Sequence, residues 1–260
     1  MRRVLSTETM PVLFIGHGSP MNAIYDNKFT RSLELLAESI PVPRAILVIS
    51  AHWVRMGVRV TAQAEPRTIH DFVGFPQDLY DIDYPAPGDP LLATDIAAMT
   101  GAMLDDEWGF DHGAWAVIRH MYPEADVPML QFALDVNASP VEHAAYARML
   151  APLRERGVLV VGSGNIVHNL QATQWSPDAR PYEWAVEFDE WVRDRLIAND
   201  EAGLIAFEEL GALARQAHPT REHYLPLLYA AALRRSGDEL SFFHEGIEMG
   251  SMSMRGVRIG

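Results

Sequence analysis

Residues 12–18 read VLFIGHG, and the same pattern of a short apolar run followed by a small residue and a histidine returns at ILVISAH, residues 46–52. A third apolar run, VLVV at 158–161, leads through a glycine-rich segment to His168. Short runs rich in β-branched residues with little polar alternation are typical of strands buried on both faces. We therefore predict three core strands at Val12–Ile15, Ile46–Ile49 and Val158–Val161.

The segments around these runs have helical patterns. Phe29–Ser39 carries apolar residues at helical spacing between the first two strands, and Pro41 and Pro43 follow its end. A strand, a helix and a second strand imply a parallel pair joined by a right-handed crossover. The remaining predicted elements are helices at Pro90–Met103, Pro140–Arg156, Pro181–Ile197, Glu201–Leu213 and His223–Leu233, a strand at Val127–Leu134, and an edge strand or hairpin within Leu240–Phe243 and Gly246–Arg255.

This alternation predicts an α/β fold, with residues 1–260 forming a single catalytic domain around a central, mostly parallel sheet flanked by helices. Ligands of such sheets gather beyond the carboxyl ends of the strands, so we expect the active site there. The segment from Glu65 to Pro90 is rich in proline, glycine, aspartate and aromatic residues, and we predict a long structured loop with a functional role.

Composition excludes several classes of function. The chain has no cysteine, which rules out disulfides, thiolate metal sites and cysteine nucleophiles. A formal net charge of −14 argues against a nucleic-acid partner. No apolar run approaches the roughly 20 residues of a membrane span, and the first apolar run is too short for a signal peptide, so we expect no membrane partner and a cytoplasmic location.

The histidines form the strongest chemical signal. His17, His52 and His168 each follow the carboxyl end of a predicted buried strand, with glycines such as Gly16 and Gly164 nearby. One histidine at such a place is more often structural, but three repeats indicate a shared site. Because imidazole suits zinc and ferrous iron, the pattern predicts a divalent metal.

Other histidines are less informative. His218 and His223 lie at the predicted start of a helix, where Thr220 could be the N-cap, and His112 lies in a loop. We expect the remaining histidines to lie at the surface: His70, His120, His143 and His244. Ser163 stands in VGSGN rather than in G-x-S-x-G, and neither a phosphate loop nor an HExxH motif is present.

Six blocks in this order resemble the 4,5-DOPA extradiol dioxygenase family, part of the class III ring-cleaving dioxygenases. They cover nearly the whole chain: GHGSPMNAI at 16–24, ISAHWV at 49–54, FPQDLYDIDYPAPGDP at 75–90, DHGAW at 111–115, GSGNIVHNL at 162–170 and HPTREHYLPLLYA at 218–230.

The resemblance implies the roles of individual residues. It implies His17, His52 and His223 as metal ligands, and His168 as the acid/base histidine that also counts as a ligand in some metal-bound forms. His112 is implied as a second catalytic histidine near the substrate, and His218 as a residue that orients its neighbours, which we assign to substrate binding.

Two aromatic residues of the long loop are further candidates for substrate binding. Phe75 and Tyr84 lie in its aromatic part, and catechol rings favour aromatic contacts. Glu222 remains open as an alternative third ligand, because the wider class III group uses two histidines and one glutamate. Consecutive helical residues point about 100° apart, so only one of Glu222 and His223 can face the metal, and we favour His223.

The implied reaction is extradiol opening of a catechol, DOPA-like or related, with O2 at Fe(II), giving a muconic semialdehyde; Zn(II) is the other metal that could be bound. The expected partners are the small catechol and O2, and the chain is expected to be a monomer or small homo-oligomer. Two alternatives stay open at this point: a zinc-dependent hydrolase with the same ligands, and a non-catalytic binding protein on the same fold.

Overall fold

The three predicted core strands are present and form the middle of one sheet. The computed structural model describes residues 9–176 and 179–260. Its strands are β1 (Val12–Gly16), β2 (Ala45–Ser50), β3 (Val54–Arg55), β4 (Arg59–Thr61), β5 (Arg67–Thr68), β6 (Met103–Asp105), β7 (Gly109–Phe110), β8 (Met129–Gln131), β9 (Leu134–Asp135), β10 (Val158–Gly164), β11 (Leu240–His244), β12 (Ile247–Glu248), β13 (Met252–Ser253) and β14 (Gly256–Ile259).

The helices alternate with these strands through most of the chain. They are α1 (Lys28–Ser39), α2 (Gln77–Tyr80), α3 (Pro90–Thr100), α4 (His112–Met121), α5 (Pro140–Met149), α6 (Pro152–Glu155), α7 (Glu183–Ala198), α8 (Glu201–Ile205), α9 (Ala212–Ala217) and α10 (Leu225–Ala232), with 3-10 turns at Pro20–Ala23 and Phe207–Leu210. No helix in the described ranges is both long and apolar enough to cross a membrane.

The main sheet has the order β11-β14-β1-β10-β2-β8. The four strands β1, β10, β2 and β8 run parallel to one another, whereas β14 pairs antiparallel with both β1 and β11. Gly16 pairs with Gly164, and Ser163 pairs with Ser50, so the carboxyl ends of β1, β10 and β2 lie side by side. Residues that follow these three strands are thereby brought to one edge of the sheet.

Both faces of the sheet are buried. Val12 and Phe14 belong to one apolar core, and Leu13 and Ile15 to the other, because successive side chains of a strand point to opposite faces. Helix α10 packs against the first face and α4 against the second. The predicted fold class, an α/β domain with a mostly parallel sheet between helices, is therefore confirmed.

Several predicted boundaries were wrong for identifiable reasons. Helix α3 ends at Thr100 because Gly101 takes a left-handed conformation with φ of 73°. The helix predicted over Pro140–Arg156 is divided into α5 and α6, since Pro152 has no N–H for a continuous helix. Gly211, with φ of 63°, likewise divides the segment predicted as Glu201–Leu213.

The C-terminal region contains a strand that the sequence reading missed. The strand predicted at Leu240–Phe243 is β11, at an edge of the sheet, and the predicted hairpin is the antiparallel pair β12–β13. Strand β14 inserts between β11 and β1, with Val257 and Ile259 in the core. The predicted strand Val127–Leu134 is two short strands, β8 and β9.

Candidate metal centre

Five histidines converge at the carboxyl edge of the sheet. The Nε2 atoms of His17 and His52 are 3.1 Å apart. Measured between ring centroids, His52 lies 3.9 Å from His112 and 5.0 Å from His223. His168 stacks on His223 with centroids 3.5 Å apart and planes 4° from parallel. Five distant parts of the chain thus share one small volume.

Glycines in β10 allow the His223 segment to approach the sheet. A Cβ on Gly164 would lie 2.2 Å from the carbonyl oxygen of His223, far inside contact distance. The same carbonyl accepts a hydrogen bond from the backbone N–H of Asn165 (2.9 Å), and Gly164 itself accepts one from His17 (3.0 Å). His223 lies in the turn before α10, not in its first helical turn as predicted, because the helix begins at Leu225.

The N-terminus of α4 carries His112 into the site. Asp111 is the N-cap, and its carboxylate also accepts hydrogen bonds from Ser50 Oγ (2.6 Å) and Gln131 Nε2 (2.7 Å). This fully buried group connects α4 to β2 and β8. Burial, and next the charge of Asp71, raise the pKa of Asp111 to about 6, while the bonds from Ser50 and Gln131 oppose that rise.

The Nδ1 atom of His17 has a defined partner. It lies 3.0 Å from Ser163 Oγ, which in turn donates to the carbonyl oxygen of Gly113 (2.5 Å). Because Ser163 donates its hydroxyl proton to Gly113, its oxygen can only accept the hydrogen bond from Nδ1–H of His17. The Nε2 lone pair of His17 is therefore left free, in the tautomer that binds a metal.

Carboxylate oxygens lie beside the Nδ1 atoms of three other histidines. Asp71 lies with one oxygen 3.0 Å from Nδ1 of His112 and with the other 3.3 Å from Nδ1 of His52. Glu222 Oε1 lies 3.1 Å from Nδ1 of His223. A ligating histidine almost always donates its second ring N–H in this way.

The histidine nitrogens fit a divalent metal. The ligand atoms of His17, His52 and His112 all lie within 4.8 Å of one another, so these three residues are positioned to hold an ion. Two nitrogens bound to one metal at about 2.1 Å each lie roughly 3 Å apart, close to the separation between His17 and His52. Nε2 of His223 is buried and has no hydrogen-bond partner among the described residues, so a cation would satisfy it.

Burial keeps these imidazoles neutral. Desolvation, and then the neighbouring histidines, lower the pKa of His17 and His223 well below the usual value of 6.5. For His52 desolvation and the His112 charge also lower the pKa, against an opposing effect of Asp71. A neutral imidazole is the form that donates a lone pair to a metal.

A pocket of about 250 Å³ opens over the histidines, a size suited to one small aromatic molecule. Its lining combines polar groups at the metal centre with apolar side chains. The lining residues are His17, Gly18, Ser19, Pro20, His52, Asp71, Phe72, Phe75, His112, His168, Leu170, Trp175, His223, Met249 and Met252. Predicted site residues His17, His52, His112, His168, His223 and Phe75 are therefore brought together.

Two predicted substrate-binding residues do not line this pocket. Tyr84 is 3% exposed in the core, where its hydroxyl donates to the carbonyl oxygen of Tyr122 (2.8 Å). His218 is 6% exposed, lies against the ring of Phe188, and its Nε2 is 2.6 Å from the carbonyl oxygen of Ile166. Neither Tyr84 nor His218 lines the histidine pocket, and both side chains make hydrogen bonds inside the fold.

The structure also places residues that sequence reasoning missed. Asp71 was not singled out as a site residue, although a carboxylate in an aromatic-rich loop next to a histidine could have indicated one. Ser163 was considered only as a nucleophile, whereas its hydroxyl orients His17. His143, expected at the surface, is fully buried with Nδ1 3.1 Å from the hydroxyl of Tyr229.

The alternative ligand Glu222 faces away from the pocket. Its Oε1 atom accepts from Thr220 Oγ1 (2.9 Å) as well as from His223, and Glu222 does not line the histidine pocket. Its observed contacts orient His223 rather than replace it. Thr220 does not cap α10 with its side chain, since that helix has no side-chain cap.

Comparison with known proteins agrees with this site. The family model for the catalytic LigB subunit of aromatic ring-opening dioxygenase matches residues 10–253. The chain is 47% identical to the 4,5-DOPA dioxygenase extradiol of Escherichia coli K12 over 99% of this chain and 97% of that protein. It is 37% identical to the protein of the same name from Beta vulgaris, over 92% of each.

A solved structure shows the same fold. The crystal structure of an uncharacterized protein from Escherichia coli K12 superposes with a TM-score of 0.85 at 42% identity, covering 96% of this chain and 100% of that one. A family match over most of the chain and relatives of this identity leave no ambiguity about the family. The chain belongs to the LigB family of extradiol, aromatic ring-opening dioxygenases.

Proposed function

We propose that this protein opens the ring of a catechol beside its two hydroxyl groups, using O2 at a divalent metal held by histidines. The observation that carries the proposal is the convergence of free imidazole nitrogens at the floor of an apolar pocket large enough for one aromatic ring. The product would be a muconic semialdehyde. The names of the relatives make DOPA the first catechol to test.

We propose His17, His52 and His223 as the ligands, with His168 close enough to add a fourth nitrogen. His223 is favoured because its buried Nε2 finds no hydrogen-bond partner in residues 9–176 and 179–260, and a buried polar group without a partner costs about 1–3 kcal/mol. By distance, the ligand atom of His112 groups with those of His17 and His52, all within 4.8 Å of one another. In this assignment His112 stays a pocket residue whose Nε2 serves the substrate, while Asp71 lies 3.0 Å from its Nδ1.

A divalent metal bound there would supply Lewis acidity toward the catechol oxygens and, as Fe(II), electrons for the reaction with O2; Zn(II) fits the same nitrogens but has no redox chemistry. This open, nitrogen-rich donor set follows the arrangement of non-heme oxygenase sites, which keep positions free for substrate.

His168 is the proposed base for the first catechol proton. Burial chiefly lowers its pKa to about 4, although the charge of Glu222 opposes this, so its ring is neutral and ready to accept near neutral pH. Nε2 of His112 can hold or return a proton on the other side of the pocket. Phe72 and Phe75 pack beside the site and would keep water from the ring.

Oxygen consumption after ferrous loading tests the reaction. The protein would be reconstituted anaerobically with Fe(II), mixed with a panel of catechols and exposed to O2. We expect O2 uptake with a yellow product, and a loss of at least about a hundredfold in kcat for His168→Ala. His244→Ala, outside the pocket, is the matched control. No uptake with any catechol and any metal would favour a zinc-dependent hydrolase instead.

Metal content tests the third ligand. We expect His223→Ala to lose bound metal, His112→Ala to keep it with reduced turnover, and Glu222→Gln to weaken binding only by loosening His223. If Glu222→Gln abolished metal binding while His223→Ala retained it, Glu222 would be the ligand. Loss of metal in His112→Ala alone would give that role to His112.

For the molecule as a whole, we propose that residues 1–260 form one catalytic domain acting on a small catechol in the cytoplasm. We expect the protein to be a monomer or small homo-oligomer, and size-exclusion chromatography with light scattering would measure this oligomeric state.

A further inference from the structure

Gln131 is a fully buried amide at the end of β8, and it does not line the histidine pocket. It forms a reciprocal pair with Asp111, the N-cap of α4. The Oε1 atom of Gln131 accepts the backbone N–H of Asp111 (2.8 Å), and its Nε2 atom donates to the Asp111 carboxylate (2.7 Å). Because a backbone N–H can only donate and an ionised carboxylate can only accept, this pair fixes the orientation of the amide.

Asp111 connects this pair to the strand that precedes His52. Its other carboxylate oxygen accepts from Ser50 Oγ (2.6 Å), and that hydroxyl oxygen accepts the backbone N–H of His52 (3.2 Å). The same carboxylate oxygen caps α4 by accepting the backbone N–H of Ala114 (3.3 Å). One buried carboxylate therefore holds the end of β2 against the start of α4. His52 follows the first of these points, and His112 lies at the second.

The first turn of α4 is also in contact with the groups around His17. The carbonyl oxygen of Gly113 accepts from Ser163 Oγ, whose oxygen accepts from Nδ1–H of His17. A Cβ on Gly113 would lie 2.5 Å from Ser50 Oγ and 3.0 Å from Cδ2 of His52, so this turn is packed tightly against the end of β2. A displacement of the turn would therefore disturb the surroundings of both His17 and His52.

We propose that Gln131 is a positioning residue of the metal centre, although it lies outside the pocket. Through Asp111 it holds the first turn of α4 where the ligand atoms of the three nearest histidines come together. Without the amide, a buried carboxylate oxygen and a buried N–H would each lose a partner, which is unfavourable. The turn would shift to find other partners, and the nitrogens would fit one ion less well. This inference rests on the proposed metal centre and deepens it.

Removal of the amide at nearly constant length tests this role. In Gln131→Met we expect the affinity for Zn(II), measured by chelator competition, to fall by about tenfold, as is typical when a residue behind the ligands is lost. The protein loaded with Co(II) should show a changed visible spectrum, because the spectrum depends on the geometry and number of the ligands.

Thr100→Val is the matched control. It removes a buried hydroxyl at the end of α3 that donates to the carbonyl oxygen of Ile96 (2.7 Å) and accepts from the backbone N–H of Ala102 (3.2 Å). Two buried hydrogen bonds are lost there too, but away from the histidines. We expect this variant to lose stability while it keeps the native Zn(II) affinity and the native Co(II) spectrum.

An exchange of the two polar groups tests the pairing itself. Gln131→Glu sets a second carboxylate against that of Asp111, so the Zn(II) affinity should fall as it does in Gln131→Met. The double variant that combines Gln131→Glu with Asp111→Asn again sets one amide against one carboxylate. The new carboxylate can still accept the backbone N–H at position 111, and asparagine is a good N-cap. We expect the double variant to recover most of the lost affinity.

The outcomes separate positioning from general stability. Native affinity and a native Co(II) spectrum in Gln131→Met would overturn the inference, and so would an equal loss of affinity in Thr100→Val. A double variant that binds Zn(II) no better than Gln131→Glu would overturn it as well. If Gln131→Met does not fold, the comparison between Gln131→Glu and the double variant decides the question alone.

The same measurements distinguish this inference from the proposed reaction. If the native protein binds the metal but consumes no O2 with any catechol, the proposed reaction fails, and the Zn(II) affinities still decide the role of Gln131. If the native protein binds no divalent metal, both proposals are wrong.

Discussion

Asp71 connects two histidines of the metal centre through a single carboxylate. Burial works against its ionisation, but the hydrogen bond from His112 and the charges of His112 and His52 outweigh this and lower its pKa to about 2. The carboxylate is therefore ionised at any pH near neutrality. It accepts a hydrogen bond from Nδ1 of His112 and lies 3.3 Å from Nδ1 of His52, which favours a proton on Nδ1 of each ring and leaves the Nε2 lone pairs for other partners.

Replacing Asp71 with asparagine should weaken metal binding without unfolding the protein. The amide offers only one oxygen, so one of the two rings loses its acceptor and its fixed orientation. We expect metal affinity to fall by about tenfold to a hundredfold in chelator competition. Asp26→Asn, which changes an exposed ion pair with Arg31, is the control. Equal affinity in the two variants would exclude an orienting role for Asp71.

At the scale of elements, β10 is the strand on which the site depends most. It pairs with both β1 and β2, it carries Ser163, and it ends at Gly164 beneath the carbonyl of His223. A larger residue at position 164 would push the turn before α10 away from the sheet. The position of His223 is thus set by the absence of a side chain on a neighbouring strand.

The substitution Gly164→Ala should damage both the fold and the site. We expect a loss of about 1–3 kcal/mol in the free energy of unfolding, because the added methyl overlaps backbone that cannot rotate away. Metal content should fall as His223 moves. In the control Gly101→Ala, left-handed strain should cost about 1 kcal/mol while metal binding is kept. Urea unfolding measures the stability and metal analysis measures the metal content. Full metal binding in Gly164→Ala would contradict the role given to Gly164 in positioning His223.

At the scale of the whole molecule, buried neutral histidines make stability depend on pH. Burial, as the largest cause, lowers the pKa of both His143 and His218 to about 4. In the unfolded chain each would take up a proton near pH 6.5. Between about pH 6.5 and pH 4 the unfolded state therefore binds more protons than the native state, and stability must fall as the pH falls through this window.

We expect the metal-free protein to lose about 2 kcal/mol per such histidine between about pH 7 and pH 5. His143→Asn keeps a polar partner for Tyr229 but cannot be protonated, so its unfolding free energy should decline less steeply over the same range. Urea titrations at the two pH values measure the difference between the slopes. Parallel slopes for the two proteins would show that His143 does not contribute to the acid sensitivity.

The core strands were predictable from sequence, because short runs of apolar residues indicate strands buried on both faces. The convergence of His17 and His52 was predictable too, because parallel strands have their carboxyl ends at the same edge of the sheet. That Tyr84 and His218 do not line the histidine pocket could not be predicted, since an aromatic ring or an imidazole has the same local sequence pattern whether it faces a ligand or the core. The antiparallel partner of β1, strand β14, was missed because four residues near a terminus carry little periodic signal.

By itself, the sequence determined the fold class, the family and the type of metal donor, because these depend on local patterns and on which side chains are present. Only the tertiary structure decided which nitrogens are free, through the contacts of Ser163, Asp71 and Glu222 with Nδ1 atoms. It also placed Glu222 Oε1 beside Nδ1 of His223, and it left no lysine or arginine on the described lining of the pocket. These properties depend on residues far apart in the chain, and only folding sets their distances.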